Sequence, residues 1–340
     1  MQAQPEKLVR SERKTRFLQP RDLHAVVSID AALAGRARGA YFERRLAAAQ
    51  RDPERHVQLA VEENGVLAGF MLGRALEGEF GRSEPAVRLE ALGVAAAAQG
   101  RGLGTALAAA FEGESARRGL QEIRTAALWR EHALLAFLDR AGYRLAPAHV
   151  LDCALADAEL GSSREAPLEP AAAPADPNDY GTPRPAESDS LARDRIEVGV
   201  LGQDDMEGVA RVDRRHTGRD RRGYLCRALG EALADSAVRV SLAARTDGSV
   251  AGFVMARVDY GDFGRTEPVA VIDTVGVDPL RARQGIGRAL LSQLFMNLAG
   301  LGVERVETVV AAGNLELMGF FYRAGFGPSE RLALVKRLSA

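Results

Sequence analysis

Cysteine, net charge and long apolar runs are what this 340-residue chain lacks. Two cysteines, Cys153 and Cys226, cannot frame a disulfide scaffold, and no metal-ligand spacing surrounds either. Reduced, structural thiols are the expectation. A formal net charge of −1 removes the usual electrostatic case for a nucleic-acid or membrane partner. The basic stretch Arg214–Arg222 is local, and a solvated loop is expected there rather than an anion site. No apolar run is long enough to span a bilayer or to form the core of a signal peptide, so a cytoplasmic location is expected. What remains, 46% apolar and 27% charged, is ordinary globular composition with length for about two domains.

The most informative stretch runs from Val271 to Leu291. Val271–Val277 is β-branched and apolar apart from Asp273, and Asp278-Pro279 ends it as a turn. Gly285-Ile-Gly287 then opens a segment with Ile286, Leu290, Leu291, Leu294 and Leu298 at helical spacing. Strand, glycine loop and helix N-terminus in that order form a phosphate cradle: the first turn of a helix carries four unpartnered N–H groups and the positive end of its dipole. No Gly-Lys-Ser/Thr follows, which excludes a P-loop, and Leu290 stands where the dinucleotide fingerprint needs its third glycine.

The same signal occurs twice. A shift of 183 positions carries Gly69-Phe70 onto Gly252-Phe253 and Phe80-Gly-Arg-Ser-Glu-Pro85 onto Phe263-Gly-Arg-Thr-Glu-Pro268. It also carries Gly102-Leu-Gly104 onto Gly285-Ile-Gly287, and Arg140-Ala-Gly-Tyr143 onto Arg323-Ala-Gly-Phe326. No gap is needed over roughly 130 residues, the size of one domain, so the chain is a duplication. The expected organisation is a loose tail over 1–14, a first copy over 15–156, a Pro/Ala-rich linker over 157–193 and a second copy over 194–340. Within each copy the pattern reads β-α-α-β-β-β-α-β-α-β, with Val150–Leu155 closing the first, Asp22 capping its first helix, and Glu84 and Glu267 in salt-bridged turns.

The spacing [Gln/Arg]-x-x-Gly-x-Gly after a Val-x-Pro strand end resembles the GNAT superfamily of N-acetyltransferases. The resemblance implies an α/β fold of two mixed sheets flanked by helices, acetyl-CoA as acyl donor, and direct attack by a small-molecule or peptide amine. Cofactor contacts are then implied at Val275, Val277, Arg283, Gln284, Gly285, Ile286, Gly287, Arg288, Asn314 and Phe321. In the first copy they fall at Leu92, Val94, Gln99, Gly100, Arg101, Gly102, Leu103, Gly104 and Thr105. An oxyanion-binding N–H is implied at a strand bulge near Gly276-Val277 and Gly93-Val94. Asp273 is the candidate base, on one face with Val275 and Val277, and Glu90 is its counterpart. The family's acid tyrosine is replaced by Phe321 and Leu138, leaving Tyr322, one residue late, as the candidate acid.

Because the second copy keeps Asp278-Pro279, Asn314 and Tyr322, while the first has Val94-Ala-Ala and Glu131, the second is expected to catalyse and the first to be a degenerate copy. The other function class is a non-catalytic acyl-CoA-binding protein. A monomer, as a pseudo-dimer of repeats, or a homodimer is expected.

Overall fold

The computed structural model describes residues 12–76, 78, 85–157, 196–234, 239–259 and 267–338. The expected linker, apart from Asp157, most of the expected tail, and Glu84 lie outside these residues. The first copy comprises β1 (Arg13–Phe17), α1 (Leu23–Ala34), α2 (Gly39–Arg51), β2 (His56–Glu63), β3 (Val66–Leu76), β4 (Ala86–Val94), α3 (Leu103–Arg117), β5 (Glu122–Leu128), α4 (His132–Arg140), β6 (Arg144–Leu145) and β7 (Ala148–Ala154). The second repeats the order as β8 (Glu197–Val200), α5 (Met206–Thr217), α6 (Arg222–Ala234), β9 (Arg239–Thr246), β10 (Ser249–Asp259), β11 (Val269–Val277), α7 (Ile286–Gly300), β12 (Arg305–Ala311), α8 (Leu315–Arg323), β13 (Gly327–Pro328) and β14 (Arg331–Arg337).

Local chemistry accounts for the joints. Asn64-Gly65 and Asp247-Gly248 all take positive φ, from 52° to 78°, as two-residue hairpins demand. Asp22 does not cap α1. Its carboxylate instead accepts from Arg16 and from the Gln19 N–H, and these bonds hold its pKa below the usual carboxylate range despite burial.

The two sheets have seven strands each, in the orders β1-β2-β3-β4-β5-β14-β6 and β13-β7-β12-β11-β10-β9-β8. Only β4–β5 and β11–β12 pair in parallel; the other recorded strand pairings are antiparallel. Sheets with helices on both faces are what the patterning predicts. The exchange of strands is not. β7, expected to close the first sheet, pairs with β12 from Arg305↔Ala154 to Ala311↔Ala148. β14 pairs in turn with β5 from Arg331↔Leu128 to Arg337↔Glu122. The crossing falls between Ala146, whose N–H donates to Ala333 O beside β6, and Pro147, whose carbonyl accepts from Ala312 N–H at the end of β12. The cores are exchanged with the strands. Leu151 and Cys153 pack with Leu294 and Val306 of the second copy, and Leu334 packs with Leu107 and Ile123 of the first. Cys153 is buried as expected of a structural thiol, whereas Cys226 is exposed.

Candidate functional site

The strand after which the glycine loop begins carries a bulge in both copies. Along β10 and β11, Met255 pairs with Thr274 and Ala256 with Ile272, which leaves Asp273 as the extra residue. Along β3 and β4, Leu72 pairs with Ala91 and Gly73 with Leu89, leaving Glu90. The bulge therefore lies at the two acids, three residues before the expected Gly93-Val94 and Gly276-Val277. Parallel pairing stops just upstream, at Arg88↔Arg124 and Ile272↔Thr308, so β4 parts from β5 and β11 from β12 beyond it. At each parting a threonine hydroxyl takes the last carbonyl: Thr125 Oγ1 donates to Leu89 O (3.1 Å) and Thr308 Oγ1 to Ile272 O (3.3 Å).

The bulge also reverses the expected facing of Asp273. Val275 and Val277 pack on the core under α7, but the Asp273 carboxylate accepts from Arg257. Arg257 shares a strand face with Phe253 and Met255, which belong to the core under α5 and α6. An extra residue shifts the alternation by one, so face-counting along the strand fails there. Glu90 is held likewise, by Arg45 of α2 (3.1 Å) and Arg74 (3.7 Å), at 1% exposure. Both acids are ion-paired inside the protein.

The loops differ in strain. Gly100 and Gly102 have φ of 73° and 82°; in the second copy Gly285 has 81°, but the counterpart of Gly100 is Arg283 at 62°. A side chain in the left-handed region costs about 1 kcal/mol or more. Arg283→Gly should therefore raise stability, or leave it unchanged once glycine's extra unfolded-state entropy is offset. Thermal denaturation of the variant checks this, and a drop of several degrees would contradict it. Gly104 and Gly287 are glycine for packing: a Cβ would lie 3.1 Å from the Phe137 ring and 2.8 Å from that of Phe320. Glycine at 287 thus permits close contact between α7 and α8. Asp278 accepts from Leu280 N–H and from Arg215. Burial would push its carboxyl up, but these two donors outweigh it and hold it low. Its contribution to stability is present at neutral pH and lost as pH falls through that depressed pKa.

A cleft of about 1080 Å³ lies against the first loop. Leu92, Gly93 and Val94 of β4, Gln99 to Thr105 apart from the outward Arg101, and Leu128 at the end of β5 line its middle. Asp30 and Arg38 close one end, and Glu112, Arg140 and Lys336 the other. Arg101 pairs instead with Glu63 (2.8 Å). The Val94 carbonyl accepts from Gln99 Nε2 (3.0 Å). The second copy has Ala282 in place of Gln99, and there His216 Nε2 donates to the Val277 carbonyl. The groove wall differs more. Ala108 and Glu112 of α3 correspond to Leu291 and Phe295 of α7, both buried. Phe295 stacks toward Phe326 (6.1 Å), which meets Phe321 (4.9 Å), so aromatic side chains occupy the end of the groove where Glu112 stands in the first copy, while Val275 and Val277 remain half-buried as Leu92 and Val94 are.

Other candidates fall in different places. Phe321 is wholly enclosed and offers no face to a ligand. Tyr322 is 47% exposed, and two residues on from Phe320 it points about 200° round the helix, away from Gly287. Asn314 caps α8, its side chain accepting from Leu317 N–H (3.1 Å). Glu131 is turned back toward Leu128 N–H (3.3 Å). Within Arg214–Arg222 the arginines at 214, 215, 221 and 222 are ion-paired, to Asp220, Asp278, Asp213 and Glu207. The sequence reading missed one repeated constellation. Asp30–Arg38 and Asp213–Arg221 are buried pairs at the same place in each copy, each arginine over a tyrosine ring, Tyr41 (5.1 Å) and Tyr224 (5.2 Å). Recurrence at the same shift of 183 positions is the signal that would have found them.

A repeated strand–bulge–glycine loop–helix beside a parted parallel strand pair defines an acyltransferase-type fold. The sequence profile of the Acetyltransferase (GNAT) family matches residues 23–143 and 211–326, and the chain belongs to that family. Mycothiol acetyltransferases of Clavibacter sepedonicus and of Clavibacter michiganensis subsp. michiganensis are 38% and 36% identical to it over 109 residues. The match spans 32% of this chain and about a third (33%) of each relative. A tandem GNAT protein from the clavulanic acid biosynthesis pathway superposes with a TM-score of 0.60 over 97% of this chain and 99% of its own, at 16% identity. A GCN5-related N-acetyltransferase from Sphaerobacter thermophilus gives 0.55 over 96% of both chains, at 18%. At these identities the two structures speak to the fold alone. No helix among the described residues is long and apolar enough to cross a membrane.

Proposed function

We propose that the protein is an acetyl-CoA-dependent N-acetyltransferase acting on a small-molecule or peptide amine by direct attack in a ternary complex, with acetyl-CoA held in the cleft of the first copy. The observation that carries this is the cleft itself, open beside Gly100–Thr105 and along Ala108 and Glu112, where the second copy has the buried Leu291 and Phe295. The lining suits the cofactor: backbone N–H groups at the N-terminus of α3 for pyrophosphate, and Leu92, Val94 and Leu103 for the pantetheine arm. Transfer is accordingly assigned to the first copy, the reverse of what Asp278-Pro279, Asn314 and Tyr322 lead one to expect.

The acceptor reaches the thioester from the α1–α2 end. A protonated alkyl amine costs roughly 4–5 kcal/mol to neutralise at pH 7. Asp30 is committed to Arg38, whereas Glu131 lines the cleft with one long hydrogen bond and retains acceptor capacity. Glu131 takes the amine proton, through water. Glu131→Gln should lower turnover about 100-fold and leave acetyl-CoA affinity within a few-fold. Release of free CoA from acetyl-CoA, measured across a panel of amine acceptors, tests the activity. CoA release that no amine accelerates would favour the non-catalytic acyl-CoA-binding reading.

A further inference from the structure

One residue of the cleft comes from the other repeat. Lys336 lies on β14, yet it lines the far end of the first copy's cleft beside Arg140 and Glu112. Its ammonium is fixed: Nζ donates to Ala141 O at 2.6 Å and lies 2.5 Å from Glu112 Oε1. An ammonium has three donors, so one remains to face the cleft. Arg140 is exposed at the same end, and its guanidinium has no hydrogen-bond or ion-pair partner among the described residues. Two cations against one carboxylate leave this end positive. The counterparts in the second copy are Cys153, Arg323 and Phe295, so the arrangement belongs to the first copy and arises with the exchanged strand.

Resting on the cofactor reading above, we infer that Lys336 and Arg140 form a subsite for the phosphomonoester at the nucleotide end of the cofactor, the 3′-phosphate of CoA. Glu112 lies nine residues into α3, about 13 Å along the helix from the loop. Helical side chains lean toward the N-terminus and shorten that gap, so a cofactor whose pyrophosphate sits on the loop extends its nucleoside toward the two cations. The pair reads charge: a dianionic ester gains charge-assisted bonds there that a hydroxyl does not. The cofactor site of the first copy is thereby completed by the last strand of the second.

The test is hydrogen-exchange mass spectrometry of the full chain, titrated with CoA and with 3′-dephospho-CoA. Protection is read separately for peptides over 95–112 and 278–295. Wild type should bind CoA at the first loop at least about 10-fold tighter than dephospho-CoA, a difference of about 1.4 kcal/mol. Lys336→Met keeps the aliphatic stem, and Arg140→Met alters an exposed side chain. Each should bring the ratio toward one while affinity for dephospho-CoA stays within a few-fold. Equal affinities in wild type, or an undiminished ratio in both variants, would overturn the subsite and leave the cofactor reading standing. Failure of both nucleotides to protect the first loop would overturn both readings.

Discussion

A chain ending at Ser329 is expected to lose acetyl-CoA binding by the first copy, although every residue of that copy is still present. The deletion removes β14, which lies between β5 and β6 and pairs with β5 along seven residues. Each ladder hydrogen bond contributes about 0.5–1.5 kcal/mol net, and its loss leaves buried backbone groups of β5 without partners. Ala333 and Leu334 leave the core of the first copy with the strand. Lys336 leaves the cleft, and the contact of Trp129 N–H with Glu330 O (3.0 Å) is lost beside the end of β5. The total exceeds the usual margin of roughly 5–15 kcal/mol for a domain. Circular dichroism and calorimetric titration of the truncated chain check this. Retained acetyl-CoA affinity within a few-fold would show that the first sheet stands without its exchanged strand. By the same reasoning, a chain covering only the first copy should not fold alone.

The second large effect concerns Asp273. Both it (3% exposed) and Arg257 (6%) are buried, and the Nε and Nη2 atoms of Arg257 have no hydrogen-bond partner among the described residues. Asp273→Asn leaves the guanidinium charge buried without its counter-ion, which costs about 3–5 kcal/mol when one partner of such a pair is removed. Replacing both, as Asp273→Leu with Arg257→Met, should recover most of that stability, because a packed apolar pair of similar volume removes the desolvation cost. Urea unfolding of the two variants measures the difference. Wild-type stability in Asp273→Asn, coupled with lost turnover at a temperature where the protein is folded, would return Asp273 to the role of base.

The duplication, the element order and the glycine loop were legible in the sequence because each rests on local signals: Asn64-Gly65 for a hairpin, apolar spacing for α7, and the shift of 183 positions for the repeat. What was not legible depends on contacts between distant segments. Strand exchange leaves no trace in periodicity, since β7 and β14 have the same alternation whichever sheet they join. The bulge at Asp273 and Glu90 inverted a face count that assumes unbroken period two. The difference between the copies in the groove wall was not legible either, because it lies outside the motif residues. Ala108 and Glu112 stand where the second copy has Leu291 and Phe295, and all four look like ordinary helix residues in sequence. Asp30–Arg38 was overlooked for a related reason: a buried pair between one helix and the start of the next has no short motif.

On the proposal above, the first copy's groove receives acetyl-CoA because Ala108 and Glu112 leave room where Leu291 and Phe295 stand in the second copy. The direct measurement is calorimetric titration of acetyl-CoA into the variant Ala108→Leu with Glu112→Phe, which gives the first groove the second copy's own side chains. Filling the groove is predicted to weaken binding at least about 100-fold, near 2.7 kcal/mol, with the folded state confirmed by an unchanged cooperative thermal transition. Unaltered affinity and stoichiometry in that folded variant would contradict the claim and place the cofactor in the second copy.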